Sequence, residues 1–322
     1  MPDVIQRLLK SKEPAVRYKT LVGVLGKNPT SAEAHKARDE MRRMGVVPRL
    51  LTELRMEGTI PRHPYSKWRG AHWILAALAD LGFPPGDKEL VPLREQAYEW
   101  LLSKERLAGI RTINGRTCRC ASQEGNALYY LIALGLGDKR TPQLADWLIK
   151  WQWPDGGWNC DRNPDAMNSS YNESLIPLRA LNLYASKSGN KKAEKAVGRA
   201  AELFLKRRLF KRLRDGKTIK SQFTRLHYPY YWYYNILYAL KVMAEVGCID
   251  DERCTDALNL LESKRLRGGA FPAEKRYYYV RGTDKRCGGA SSLYWGPTGK
   301  KKMNEFVTVD ALIALKAAKR PG

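Results

Sequence analysis

Apolar residues recur at helical spacing along almost the whole chain, and the strict alternation that marks strands is nearly absent. Five segments are apolar on most sides and rich in Leu and Ala: Ile74–Gly82, Asn126–Gly135, Glu173–Ala185, Tyr234–Gly247 and Thr308–Lys319. A helix that is apolar all round is buried on several sides. The first two segments end on Gly82 and Gly135, as helices closed by a left-handed residue do. Between the five run charged, amphipathic segments: Leu90–Leu102, Thr141–Trp151, Lys192–Leu209 and Asp251–Lys264. Their apolar positions fall three and four apart, which gives each of them one buried face. The pattern predicts inner apolar helices, each packed against an outer amphipathic partner.

This alternation repeats. Aligning Trp100, Trp147, Leu203 and Leu260, near the ends of the outer segments, gives steps of 47, 56 and 57 residues. Two helices per unit of roughly 50 residues mean stacked helical hairpins, as an open solenoid or a closed ring. Closure hides the apolar end faces that an open stack exposes. The first 55 residues break the rhythm. Ile5–Leu9, Ala15–Leu25 and Ser31–Met44 read as short helices, either a cap on the array or its opening repeat, with the main body over residues 56–322.

The loop after Thr141–Trp151 is the most informative in the chain: Trp151-Gln152-Trp153-Pro154-Asp155-Gly156-Gly157-Trp158. Its glycines permit a tight reversal with positive φ. Its Gln can cap a helix end, and its Trp can cover the turn with a large apolar face. Arg267-Gly268-Gly269-Ala270-Phe271 is a reduced second copy. The motif resembles the Gln–Trp repeat of the terpene cyclase and prenyltransferase superfamily, which includes squalene cyclases and protein prenyltransferase β-subunits. The resemblance implies an all-α fold over roughly Lys67–Lys319, an α–α barrel (toroid) whose inner helices line a central cavity. It implies a hydrophobic substrate in that cavity, isoprenoid or diphosphate-bearing. It does not carry the reactions across, because one fold hosts several chemistries. The chain lacks the Asp-x-Asp-Asp motif with which the cyclases protonate squalene, and the Asp-Asp-x-x-Asp magnesium motif of ionising terpene synthases.

Reactive residues gather at one place in the repeat, just before each inner helix. Cys118-Arg119-Cys120 precedes the second inner segment, Cys160-Asp161 the third, His227 the fourth and Cys287 the last. A closed ring brings them to one rim. Thiolates, imidazole and carboxylate suit Zn²⁺. The prenyltransferase β-subunits bind zinc through an Asp, a Cys and a His at comparable repeat positions. The resemblance therefore implies Cys160, Asp161 and His227 as counterparts, with Cys118 or Cys120 as a further ligand. Here Asp161 directly follows the Cys, whereas the family's Asp precedes it by two residues. Buried packing thiols and metal-free thiol chemistry are the competing readings.

Acid–base chemistry is the other route. Asp161 at an apolar cavity mouth would have a raised pKa and act as a general acid, with Glu124 as a second candidate and His227 as a partner. Helix N-terminal roles compete for both carboxylates. Trp68, His72 and Trp73, together with Tyr230 and Trp232 in the run Tyr228–Tyr234, offer ring faces for a flat hydrophobic ligand or a carbocation. Arg225 and Arg286, beside Arg281 and Lys285, can hold a diphosphate. Ordinary packing competes for the rings.

Charge adds a different class of function. The 322 residues include 57 Lys and Arg against 33 Asp and Glu, a net +24 that attracts polyanions. A non-catalytic helical-repeat protein that binds nucleic acid is thus an alternative, and an orphan barrel without activity is a third. The basic residues are scattered and mark no single helix face. Six cysteines are too few for a disulfide scaffold at this length, and no apolar leader or membrane-length apolar run accompanies them. These features predict a cytoplasmic protein without a membrane span.

Overall fold

The computed structural model describes residues 2–280, 290–291 and 293–321. The chain is mostly helical. In chain order the helices are α1 (Pro2–Leu9), α2 (Pro14–Lys19), α3 (Ala32–Met41), α4 (Val47–Leu50), α5 (Thr52–Glu57), α6 (Ala71–Leu81), α7 (Val91–Leu101) and α8 (Lys104–Ala108). They continue with α9 (Ser122–Ala133), α10 (Thr141–Trp151), α11 (Tyr171–Ser188), α12 (Lys191–Leu205), α13 (Ile236–Glu245), α14 (Thr255–Glu262) and α15 (Glu305–Ala317). A π-helical turn, Thr20–Val24, extends α2.

The inner set is α2, α6, α9, α11, α13 and α15. Each packs on the next, and α15 returns to pack on α2 and its π-helical turn. Outer partners lie against them: α3 on α2, α7 on α6, α10 on α9, α12 on α11 and α14 on α13. The N-terminal segment thus supplies one of the inner helices. Local chemistry sets the ends. Gly82 closes α6 at φ +79°. The segment expected to run on to Leu209 stops at Leu205, because Arg208 and Leu209 take φ of 44° and 66°. Left-handed residues cannot continue a right-handed helix.

Strands were not expected, yet two short pairs form. In the first, β1 (Arg111–Ile113) and β2 (Arg116–Cys118) run antiparallel across Asn114-Gly115. Those two residues take φ of 48° and 73°, the two left-handed positions of a type I′ turn, which Asn-Gly favours. In the second, β3 (Tyr279–Val280) pairs in parallel with β4 (Ala290–Ser291).

The Gln152 side chain does not cap a helix end. Its Nε2 donates to Gly156 O within the loop and to Ala196 O in α12, both at 2.8 Å. Trp153 Nε1 donates to Thr117 O and Trp158 Nε1 to Leu148 O, also at 2.8 Å. The loop is therefore stitched to three neighbouring elements. A Cβ on Gly156 would stand 2.3 Å from Arg199 O at φ +99°, so only glycine fits there. The Arg267–Phe271 loop closes with the same bonds. Leu266 N donates to Ala270 O as Trp153 N does to Gly157 O. Phe271 N donates to the Thr308 hydroxyl as Trp158 N does to the Ser174 hydroxyl.

Charged side chains occupy the space between the inner helices. Lys19 Nζ lies 2.5 Å from Asp310 Oδ1. Lys241 Nζ bridges Asp80 at 2.6 Å and Asp310 at 3.3 Å. Arg179 joins Asp80 at 3.2 Å to Glu245 at 2.7 Å. The hydroxyls of Tyr228 and Tyr230 donate to Asp80 and Asp310. Burial opposes the charge on Asp80, but Lys241, Lys19 and Arg179 together hold its carboxyl well below the usual range. The cavity among these side chains has about 30 Å³, space for roughly one water.

Candidate metal centre

The chain brings three donor side chains together where it enters α9 and α11. β2 ends at Cys118, and Cys120 follows two residues before α9. Cys160 lies two residues beyond Trp158, in the strip that leads to α11, and Glu173 sits in the first turn of α11. Arg119 N donates to Asn159 O at 2.9 Å, which ties the strip carrying Cys120 to the strip carrying Cys160. Packing of α9 on α11 then fixes Glu173 beside both. The Sγ atoms of Cys120 and Cys160 and a carboxylate oxygen of Glu173 all lie within 4.8 Å of one another.

Glu173 is buried and held on both oxygens. Ser122 N donates to Oε2 at 2.9 Å and Trp232 Nε1 to Oε1 at 2.7 Å. Burial raises its pKa, and the two hydrogen bonds work against that rise. Cys160 is exposed, and a hydrogen bond with the Cys120 thiol lowers its pKa. The same bond, followed by burial, pushes Cys120 up. Of the two thiols, Cys160 is therefore the one that gives up its proton more readily.

The donor set suits zinc. Two thiols and a carboxylate are zinc ligands, and three protein ligands are the number that catalytic zinc sites use, with a fourth position left for water or substrate. The bonds from Ser122 and Trp232 hold the carboxylate in one orientation, as outer contacts do for carboxylates that bind a metal.

Other expected ligands lie elsewhere. Cys118 is buried and is not in the group; its thiol reaches Arg116 O at 3.7 Å. His227 is also outside it. Its ring is buried against Tyr230, Tyr233 and Tyr277, with Nδ1 3.4 Å from Pro229 O.

Neither acid candidate stands at an apolar mouth. Asp161 is exposed, and its Oδ1 accepts from Asn163 N at 2.9 Å to form a local turn. Glu124 is fully buried, with Oε1 between Arg106 at 2.9 Å and Arg119 at 2.5 Å. It balances two guanidinium groups, which explains a carboxylate there without a proton-transfer role.

The aromatic candidates pack on each other. Trp68 stacks on Tyr231 at 4.3 Å, and Trp73 donates from Nε1 to Tyr65 O. Tyr230 stacks on Tyr238 at 4.4 Å. His72 is buried with Nδ1 3.3 Å from the Tyr130 hydroxyl. Trp232 alone of these rings reaches the donor group, through Glu173. Arg225 is exposed. Arg281, Lys285, Arg286 and Cys287 lie outside the described residues. Glu173 is the donor that sequence reasoning missed. Its one signal was an acid opening an apolar helix, a common N-terminal preference.

Two buried histidines give the fold a pH dependence. Burial pushes His72 down to about 3 and His227 down to about 4. Both are neutral in the folded protein, whereas an unfolded histidine takes a proton below about pH 6.5. Their contribution is therefore complete above that pH and is lost as pH falls towards the folded values. Each should remove about 1.4 kcal/mol of stability per pH unit across that window. Urea unfolding at about pH 7 and about pH 5, with His227→Gln as a comparison of reduced slope, measures it. Equal slopes in the two proteins would refute the assignment to His227.

No family model matches the chain, and a search of curated proteins returns no match. Among solved structures, the chain is similar to a variant of the type II terpene cyclase MstE from Scytonema in complex with its product, merosterolic acid A. The two are 14% identical over 99% of each chain, with a TM-score of 0.29. A likeness of that size decides neither the arrangement of the helices nor an activity. No helix among the described residues is long and apolar enough to cross a membrane.

Proposed function

We propose that this protein is a zinc enzyme built on an α–α toroid, with Cys120, Cys160 and Glu173 holding the ion at the rim. The toroid is supported by the cyclic order in which the six inner helices touch. The shared hydrogen bonds of the two glycine loops support their reading as copies of one Gln–Trp repeat. The observation that carries the function is the meeting of two thiols and one oriented, buried carboxylate within 4.8 Å.

When bound, zinc supplies a Lewis acid and one position for a water or substrate donor. The residues of the chain do the rest. Trp232 and Ser122 fix the Glu173 carboxylate in one orientation. Cys160 faces solvent, so a substrate arrives from outside the ring. The reaction class is metal-assisted hydrolysis or group transfer at the rim. Cyclisation of a terpenoid between the inner helices is disfavoured, because about 30 Å³ cannot hold one.

Elemental analysis of protein purified without chelator should find about one zinc per chain, matching the three-ligand site. The cobalt-substituted protein should show thiolate-to-metal absorption that disappears in Cys120→Ala and Cys160→Ala. Wild-type protein that takes up neither metal on titration overturns the proposal.

A further inference from the structure

A second feature is independent of the three donors. A groove of about 830 Å³ opens between the strip leading into α11 and the segment after α12. Four cations line it: Arg207, Arg212, Arg214 and Lys220. Arg212 and Arg214 share one carboxylate, Asp215, at 3.2 and 3.5 Å. Arg207 and Lys220 have no ion-pair partner among the described residues. Arg207 instead donates to the neutral Asn168 side chain at 3.2 Å. Four cations facing one acid make a site that favours an anion.

Tyr171 supplies the second observation. It is the first residue of α11, lines the groove and is only 8% exposed. Its hydroxyl is buried and makes no hydrogen bond. Leaving a buried hydroxyl unpaired costs roughly 1–3 kcal/mol. Its ring needs no hydroxyl for packing, since it stacks on Phe223 at 5.0 Å and meets Phe204 and Tyr234 edge-on. A phenylalanine would do that part without the cost. The first turn of α11 points the same way. Ser170 precedes it, lines the groove and makes no side-chain cap bond.

We propose that this groove binds the phosphate group of a small phosphorylated molecule. Several guanidinium and ammonium groups along one groove suit a phosphate, whose oxygens accept several charge-assisted hydrogen bonds at once. The volume far exceeds a phosphate. Phe223, Ile219 and Leu213 give the remainder of the molecule an apolar wall.

Phenyl phosphate is the probe, titrated into the full-length protein by calorimetry. Saturable binding should be seen, weakening as salt is raised. Tyr171→Phe should weaken it by about tenfold or more, the value of one hydrogen bond to a charged group, yet leave thermal stability unchanged or raised. Arg207→Gln should weaken it by a similar factor. Zinc content measured on the same variants should stay at the wild-type level, so this proposal and the metal proposal can fail separately. Absence of saturable binding overturns the inference, as does equal affinity in wild type and both variants. Binding to anionic vesicles or RNA without binding to phenyl phosphate also overturns it.

Discussion

Asp310→Asn should lower the free energy of unfolding by about 3–5 kcal/mol, the cost of removing one partner from a buried ion pair. The size follows from who is left behind. Lys19 loses its partner at 2.5 Å, and its next carboxylate, Asp80, is 3.9 Å away. Lys241 loses one of its two acids, and the Tyr230 hydroxyl loses an anionic acceptor. Lys19, Lys241 and Arg179 are then left with Asp80, and with Glu245 on the far side of Arg179, as their carboxylates. Asp161→Asn is the control. That residue is exposed and bonds only locally, so its change should stay within about 0.5 kcal/mol. Urea denaturation of wild type and both variants decides the matter. A loss below about 1 kcal/mol for Asp310→Asn, the level of a surface ion pair, would show that the central charges do not act as a buried network.

This network explains which parts of the protein could be read ahead of the coordinates. Five of the six inner helices were legible because each holds a largely apolar run, the first closed by Gly82, whereas α2, Pro-Ala-Val-Arg-Tyr-Lys, carries no such run. The charges inside them were present in the same strings. Asp80 is the one charged residue of Ile74–Gly82, and Arg179, Lys241 and Asp310 each stand between apolar neighbours in mid-helix. A charge on a buried helix needs a partner, so each announced a polar contact between the inner helices. The apolar majority concealed this.

The three-donor group was legible only in part, for a related reason. Cys120 and Cys160 stand out because thiols just before two helices attract notice. Glu173 does not, since an acid in a first turn is ordinary. Only the packing of α9 on α11 brings its carboxylate across 53 residues of chain to Cys120. His227 shares its position in the repeat with the thiols but lies outside the three-donor group. Its place before α13 is equivalent, but its ring turns into the aromatic cluster with Tyr230, Tyr233 and Tyr277. The Asn114-Gly115 turn was readable from two residues, yet short strands of three residues carry too little alternation to announce themselves.

Trp232→Phe should weaken zinc affinity by about 10- to 100-fold while the protein stays folded. The indole Nε1 is the donor that fixes Glu173 Oε1, at 2.7 Å, and phenylalanine removes that N–H but keeps an aromatic ring. Without it the carboxylate keeps only the bond from Ser122 N and gains freedom to rotate away from the two thiols. The loss is partial because the Ser122 donor is backbone and survives any side-chain change. Glu173→Ala removes the ligand itself and should abolish stoichiometric binding. Competition against a chromogenic chelator gives the affinities, and unfolding of the zinc-free proteins gives the stability. A ligand-orienting role predicts the graded order wild type, Trp232→Phe, Glu173→Ala at nearly constant zinc-free stability. If Trp232→Phe bound zinc as tightly as wild type, the indole would be a packing residue and Glu173 would owe its orientation to Ser122 alone.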